Sequence, residues 1–230
     1  MSDEEAKAVQ EIAKATGKGI DAIEKLSKFI KEIIGPGLVE LGGAFRDWAV
    51  AFRYQNMLKL QEKVERIHQE RRNAGKTIPI LPRYAIPMLE HASMEDDESL
   101  QDMWAGLIAN ASDPARRLDI RKVYLDILAS LEPLDAAVLV HLHGSQPSTL
   151  ILLVKNLGIS DEELRISLQN LARLGCIRQE KDRAWDERSS MGFDISDVSA
   201  MIMLNDLGSL LVEACSHNGM KVDESTGQSC

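Results

Sequence analysis

Three things are scarce in this sequence, and each scarcity closes off a class of protein. Aromatic residues make up only 4% of it, so cohesion must come from aliphatic side chains, and abundant Leu, Ile, Ala and Met favour packed helices. Cysteines number three, Cys176, Cys215 and Cys230. They are odd in number, widely spaced and without a CxxC pair, which points to free thiols in a reducing cytoplasm and away from a disulfide framework. Catalytic grammar is missing as well. No phosphate loop, GxSxG or HExxH occurs, and the LGG at 41–43 lacks the strand-before, helix-after setting of a dinucleotide site.

Two weaker chemical signals resolve the same way. His141-x-His143 has a spacing of two, wrong for paired ligation from a helix, and no nearby Cys or carboxylate completes a zinc set. Two partly buried histidines beside a turn are expected instead. Cys176 follows a helix-ending Gly, and no His/Asn pattern marks it as a nucleophile, so it is expected to pack into a hairpin. The chain is therefore expected not to be an enzyme and to need no cofactor or metal.

A membrane-spanning run is also wanting. The longest uncharged stretch, Ala136 to Val154, is 19 residues long, but its centre is HLHGSQPST, which would break a helix in lipid. Two short buried helices are expected there. The start, MSDEEAKAVQ, is acidic and polar and unlike a secretory signal.

What is present is patterned charge. The formal net charge is −9, unevenly spread. Residues 43–83 carry nine Lys/Arg against four Asp/Glu, whereas 84–114 carry seven Asp/Glu and no Lys/Arg. A basic segment followed at once by an acidic one suggests that the two face each other, within one chain or between two. The alternative is a pair of solvated faces that never meet, since surface charges interact weakly.

The apolar spacing predicts mainly α structure: an N-terminal helical bundle followed by a winged-helix-like C-terminal module with a small β-hairpin. Helices are expected over 3–16 and 20–34, the second with Ile20, Ile23, Leu26, Ile30 and Ile33, together with Phe29 and Ile34, at helical spacing and Lys25, Lys28 and Lys31 between them. A long helix is expected from about Leu38 to Asn73, with Met57, Leu60, Val64 and Ile67 on one seam. Its basic residues, Arg46, Arg53, Lys59, Lys63, Arg66, Arg71 and Arg72, form a candidate interaction surface. With Phe45, Trp48, Phe52 and Tyr54 as anchors, the same segment would suit an anionic membrane surface; the other reading is a bundle helix with its aromatics inside.

After an extended connector over 77–83, Pro87 is expected to sit in the first turn of a short helix ending near Ala92. Asp96, Asp97 and Glu98 stand where a new helix begins, as caps for its free amides. A divalent-cation site is the weaker reading of that cluster, for want of an EF-hand spacing. The helix shows a one-sided stripe of Leu100, Met103, Trp104, Leu107, Ile108 and Ala111. Another short helix follows over Ile120 to Leu131, with Val123, Tyr124, Ile127, Leu128 and Leu131 on its apolar side.

Beyond Pro133 the pattern changes. Helices are expected over Leu134–Leu142 and Leu150–Leu157, and a third opens on the capping box Ser160-Asp161-Glu162-Glu163, with Leu164, Leu168, Leu171 and Leu174 inward. Strands are expected over Cys176–Glu180 and Ser199–Leu204, around a polar loop, and a last helix over Asp206–Cys215. Three helices, a hairpin and a closing helix is the order of a winged helix-turn-helix. As a recognition helix, the third would present Arg165, Gln169, Asn170 and Arg173. Yet residues 148–183 carry six Lys/Arg against five Asp/Glu, and a DNA reader ordinarily shows a clear basic footprint. The expected segments are thus 1–76, amphipathic helices; 77–131, central helices; 132–216, the winged-helix-like module; and 217–230, a disordered tail.

LPRYAIPMLEHASMEDDESLQDMWAGLIANASDP at 81–114, then IRKVYLDILASLEPLDAAVLVHL, and MLNDLGSLLVEAC near the end, resemble the bacterial abortive-infection alpha family. The resemblance covers about 40–216 and implies a cytoplasmic protein of defence against bacteriophage, with no catalytic residues to carry over. The favoured expectation is a non-enzymatic protein that binds protein, as a homo-oligomer above all. The alternatives are a membrane-acting effector that uses the basic N-terminal helices and a winged-helix regulator that binds nucleic acid.

Overall fold

The computed structural model describes residues 20–34, 51–71, 76–116, 120–144, 147–180, 193 and 199–216. The expected 3–16 helix, the aromatic stretch before Ala51, the polar loop after Glu180 and the 217–230 tail lie outside them. Among the described residues the protein is mainly helical, with nine helices and one two-stranded antiparallel sheet. The chain divides into two compact units, Met1–Ala129 and Ser130–Cys230.

In the first unit, α1 (Ile20–Ile34) buries Leu26, Phe29 and Ile33, three and four residues apart, and leaves Lys25, Lys28 and Lys31 exposed. Helix α2 (Ala51–Glu70) buries Met57, Leu60, Val64 and Ile67, the seam expected from spacing. Helix α3 runs over Pro82–Met94 and α4 over Glu98–Ala111, with α5 (Lys122–Leu128) after them. The 76–81 connector is extended and tied at two points. The Ile80 amide donates to the Ile33 carbonyl and the Ile78 amide to the Ser112 carbonyl, both at 2.9 Å.

Three expectations are corrected here. Helix α3 starts at Pro82, not Pro87: Pro82 occupies the first turn, where a missing amide costs nothing, and Pro87 lies inside the helix, where it forgoes a single ladder bond. Helix α4 is not one-sided. Leu100 and Gln101 and every residue from Met103 to Asn110 are buried, so the helix is enclosed nearly all round. Its small residues, Ala105, Gly106 and Ala109, mimic a solvent face in the pattern, but their size lets neighbouring helices approach. Val123 in α5 faces out, while Tyr124, Ile127 and Leu128 are buried.

The second unit begins with α6 (Pro133–Gly144), α7 (Leu150–Leu157) and α8 (Asp161–Arg173). Thr149 caps α7, and Gly158 ends it in the left-handed region at φ 66°, a conformation that glycine adopts without a Cβ penalty. Ser160 and Glu163 form the expected capping box on α8. Strands β1 (Ile177–Glu180) and β2 (Met201–Leu204) pair antiparallel, Ile177 opposite Leu204 and Glu180 opposite Met201. Ser148, between α6 and α7, joins them by a bridge to Ile202, with exchanged amide bonds of 3.0 and 2.8 Å.

Helix α9 (Asp206–Cys215) closes the unit. Its cap, Asn205, accepts from the Gly208 amide at 2.9 Å and donates to the Gly175 carbonyl at 2.6 Å. Gly208 has no room for a side chain: a Cβ there would stand 2.1 Å from the Cys176 carbonyl oxygen. The uncharged 136–154 run does become two short helices, as expected, but α7 is buried on one side only, at Leu150 and Leu153. No helix among the described residues is long and apolar enough to cross a membrane.

Candidate functional site

The basic and acidic segments do face each other, within the chain, where α2 packs along α4. Lys63, with a side chain 10% exposed, reaches the Asp102 carboxylate, the Glu98 carboxylate at 3.7 Å and the Glu98 carbonyl at 3.3 Å. Arg71, just past α2, lies 3.6 Å from Asp113 Oδ2. Neutral polar groups line the same seam. Asn56 Nδ2 donates to the Ser93 carbonyl at 3.3 Å, and Gln101 Nε2 to the carbonyls of Asn56 and Glu95 at 3.4 and 3.3 Å. His68 Nε2 and Ser112 Oγ are 3.1 Å apart, and both residues are buried.

The candidate basic surface therefore splits. Lys59 and Arg66 are exposed, whereas Lys63 and Arg71 are turned inward as ion-pair partners. Arg46 and Arg72, and the side chain of Arg53, lie outside the described residues. Asn56, His68 and Gln101 carry no motif and went unremarked in the sequence. For Asn56 the signal was positional: Asn56, Leu60, Lys63 and Ile67 recur at three and four, so polar and apolar members share one buried row.

The acidic cluster begins α4. Asp97 Oδ1 accepts from the amides of Ser99 and Leu100, each at 3.0 Å. The Ser99 hydroxyl bond above all, with those amides, holds the Asp97 carboxyl below its usual range. Glu95 accepts from the Asp97 amide at 3.0 Å, but burial is the larger effect and pushes its carboxyl up. Glu98 serves Lys63, and Asp96 is exposed. Among the described residues no group of three His, Cys, Asp or Glu side chains could hold a metal ion.

In the second unit the outer face of α8 is likewise divided. Gln169 and Arg173 are exposed. Arg165 is engaged one turn back, its Nε 2.7 Å from Asp161 Oδ2. Asn170 is turned inward: its Nδ2 donates to Asp135 Oδ2 at 2.6 Å and to the Ser130 carbonyl at 3.1 Å, and its Oδ1 accepts from Arg173 at 2.7 Å. It thus joins α8 to α6 and the turn before it, where an outer-face position was expected. The Asp135 it meets is 2% exposed. Asp135 also accepts from Ser167 Oγ at 2.6 Å and from the Glu132 amide at 2.9 Å, so both carboxylate oxygens are used. Besides Gln169 and Arg173, α8 shows solvent Asp161, Glu162, Glu163 and Ile166, the last 64% exposed. Beside these, α7 exposes Ile151 at 61% and Leu152 at 47%.

Cys176 and Cys215 are buried free thiols. Burial, then the Asp135 charge, pushes the Cys176 thiol up to about 11, and burial pushes Cys215 further in the same direction. In both, burial disfavours the thiolate, which is the reactive form. His141 Nε2 lies 3.5 Å from Asn156 Nδ2, and His143 is exposed.

These features define a mainly helical protein of two compact units, whose interior polar groups join helices to one another. The family model for abortive infection alpha matches residues 52–215, and the chain belongs to that family. The resemblance drawn from Leu81–Pro114 and the flanking segments is thereby confirmed. No curated protein and no solved structure matches the chain.

Proposed function

We propose that this protein serves abortive-infection defence in the cytoplasm as a non-enzymatic binding protein, and that it associates with copies of itself. Membership of the abortive infection alpha family supports the defence role. The observation that carries the binding mode is the apolar surface of the second unit. Ile151, Leu152 and Ile166 are 61%, 47% and 64% exposed on consecutive helices, and a protein partner would bury them. We also take this unit to be a winged helix-turn-helix. The succession α6, bridging Ser148, α7, α8, β1, β2 and α9 supports that reading.

Protein binding is favoured over DNA binding by the chemistry of α8. Its first turn holds Asp161, Glu162 and Glu163, which would repel phosphates, and Ile166 stands where a DNA reader presents a polar or basic group. Light scattering of the full chain across micromolar concentrations tests this. A defined oligomer that Ile166→Asp with Ile151→Asp reduces to a monomer is expected. A monomer throughout overturns self-association. Retardation of random duplex at low salt would instead establish the regulator reading.

A further inference from the structure

Among the described residues one charged group is buried without acceptors to match it. The Arg71 side chain is only 9% exposed, yet its Nε, Nη1 and Nη2 are all buried and have no hydrogen-bond partner. An arginine cannot shed its proton to escape this. The nearest carboxylate, Asp113 Oδ2, stands 3.6 Å from Nη1, close enough to attract but too far to bond. The other Asp113 oxygen is engaged with the Ala115 amide at 2.9 Å.

Helix-end carbonyls do not fill the gap either. The Ile67 carbonyl takes the Arg71 amide and the Ser112 carbonyl takes the Ile78 amide, and neither accepts from the guanidinium. A second arginine, Arg116, follows on the turn after α4, anchored by its amide to the Asp113 carbonyl at 3.1 Å and by Nη1 to Asn110 Oδ1 at 3.1 Å. Unlike Arg71, it is exposed. Burial and then Arg116 lower the Arg71 pKa, while Asp113 and the exposed Glu70 only partly offset them.

We propose that Arg71, just past α2, and Arg116, on the turn that follows α4, bind an oxyanion of the phosphate class. Such a group brings several acceptor oxygens and a negative charge at once, and its geometry matches the planar fork of a guanidinium. A water molecule could accept from one or two N–H groups but supplies no charge. Bound there, the anion would brace the end of α2 against the end of α4, where the 76–81 connector is also fastened. Inorganic phosphate and the phosphate of a nucleotide offer the same chemistry.

The test uses the full chain, titrated calorimetrically with sodium phosphate, and thermal unfolding in phosphate against sodium chloride of matched ionic strength. Saturable binding and a raised midpoint relative to chloride are expected. Arg71→Met should abolish both, and Arg116→Gln should weaken binding roughly tenfold, the worth of one charge-assisted hydrogen bond. A parallel titration with adenosine monophosphate separates the sources: binding as tight as free phosphate or tighter assigns a nucleotide, and exclusion assigns the free anion. The proposal is overturned if phosphate adds nothing beyond chloride, or if Arg71→Met keeps the full increment. Should Arg71→Met not fold, Arg116→Gln decides, and an unchanged phosphate affinity there overturns the proposal.

Discussion

The two units bury charge by opposite means. In the second, the buried acid is short: Asp135 sits 2% exposed with its oxygens taken by Ser167, Asn170 and the Glu132 amide. In the first, two cations stand at the tips of long side chains, Lys63 and Arg71, which reach across from α2 to acids on or after α4, one of which, Asp113, is itself buried. A short carboxylate accepts from whatever surrounds it, so neighbouring side chains and a backbone amide can saturate it. A guanidinium presents five donors in a fixed fork and seldom finds five acceptors in an interior. The unit built around an acceptor is complete. The unit built around cations has donors left over.

The comparison breaks most sharply where packing, not charge, sets the limit. Gly208→Ala should be the most damaging change, because its Cβ meets the backbone oxygen of Cys176, which cannot swing aside as a side chain could. The first turn of α9 would have to lift from the residue before β1, at an expected cost of about 3 kcal/mol or more. Circular dichroism on heating would show it, and an unchanged midpoint would refute the close approach.

A pair of variants asks whether a saturated network is worth more than an unsaturated one. Asp135→Ala strands Ser167 and Asn170 and removes the helix-end acceptor of Glu132, for an expected loss of about 3 kcal/mol. Asp102→Ala should cost less, about 1–2 kcal/mol, since Lys63 keeps the Glu98 carbonyl and carboxylate and can extend toward water. Denaturant titrations rank the two, and equal losses would remove the distinction drawn between the units.

The smallest effect lies in the helix caps, one in each unit. The carboxyls of Asp97 and Glu163 titrate below their ordinary ranges because they accept hydrogen bonds when ionised, from Ser99 and from Ser160 first of all. A depressed folded pKa gives stability that is present above the unfolded value and is lost as pH falls through the folded one. Acidification should therefore weaken the starts of α4 and α8 together. Glu95, raised by burial, works in the opposite direction and partly masks the loss in the first unit. Hydrogen exchange of the Ser99, Leu100 and Glu163 amides, taken relative to the intrinsic rate at each pH, should quicken as pH is lowered, and Ser160→Ala should quicken Glu163 alone at neutral pH.

Local grammar made much of this fold legible. The Ser160–Glu163 box, the span of α9 from Asp206 to Cys215 and the cap at Asp97 all follow from rules that act over three or four residues. Enclosure does not. Nothing between Leu100 and Ala111 distinguishes a helix with one covered face from one wrapped on most sides, because Ala105, Gly106 and Ala109 suit either. Partners far apart in sequence were equally hidden. Lys63 and Asp102, like Arg71 and Asp113, belong to segments whose opposite charge was plain but whose pairing depends on how α2 meets α4. Inward Asn170 was obscured for the same reason, its acceptor lying 35 residues upstream.

The placement of the cysteines has a use of its own. None occurs before residue 176, and the two in the described fold are enclosed within the second unit, under its hairpin and in its closing helix. Thiol labelling in a Cys230→Ser background would therefore report the opening of that unit and stay silent on the first. The chain carries its own clock for one half of itself, readable without any introduced probe and in the presence of a candidate partner.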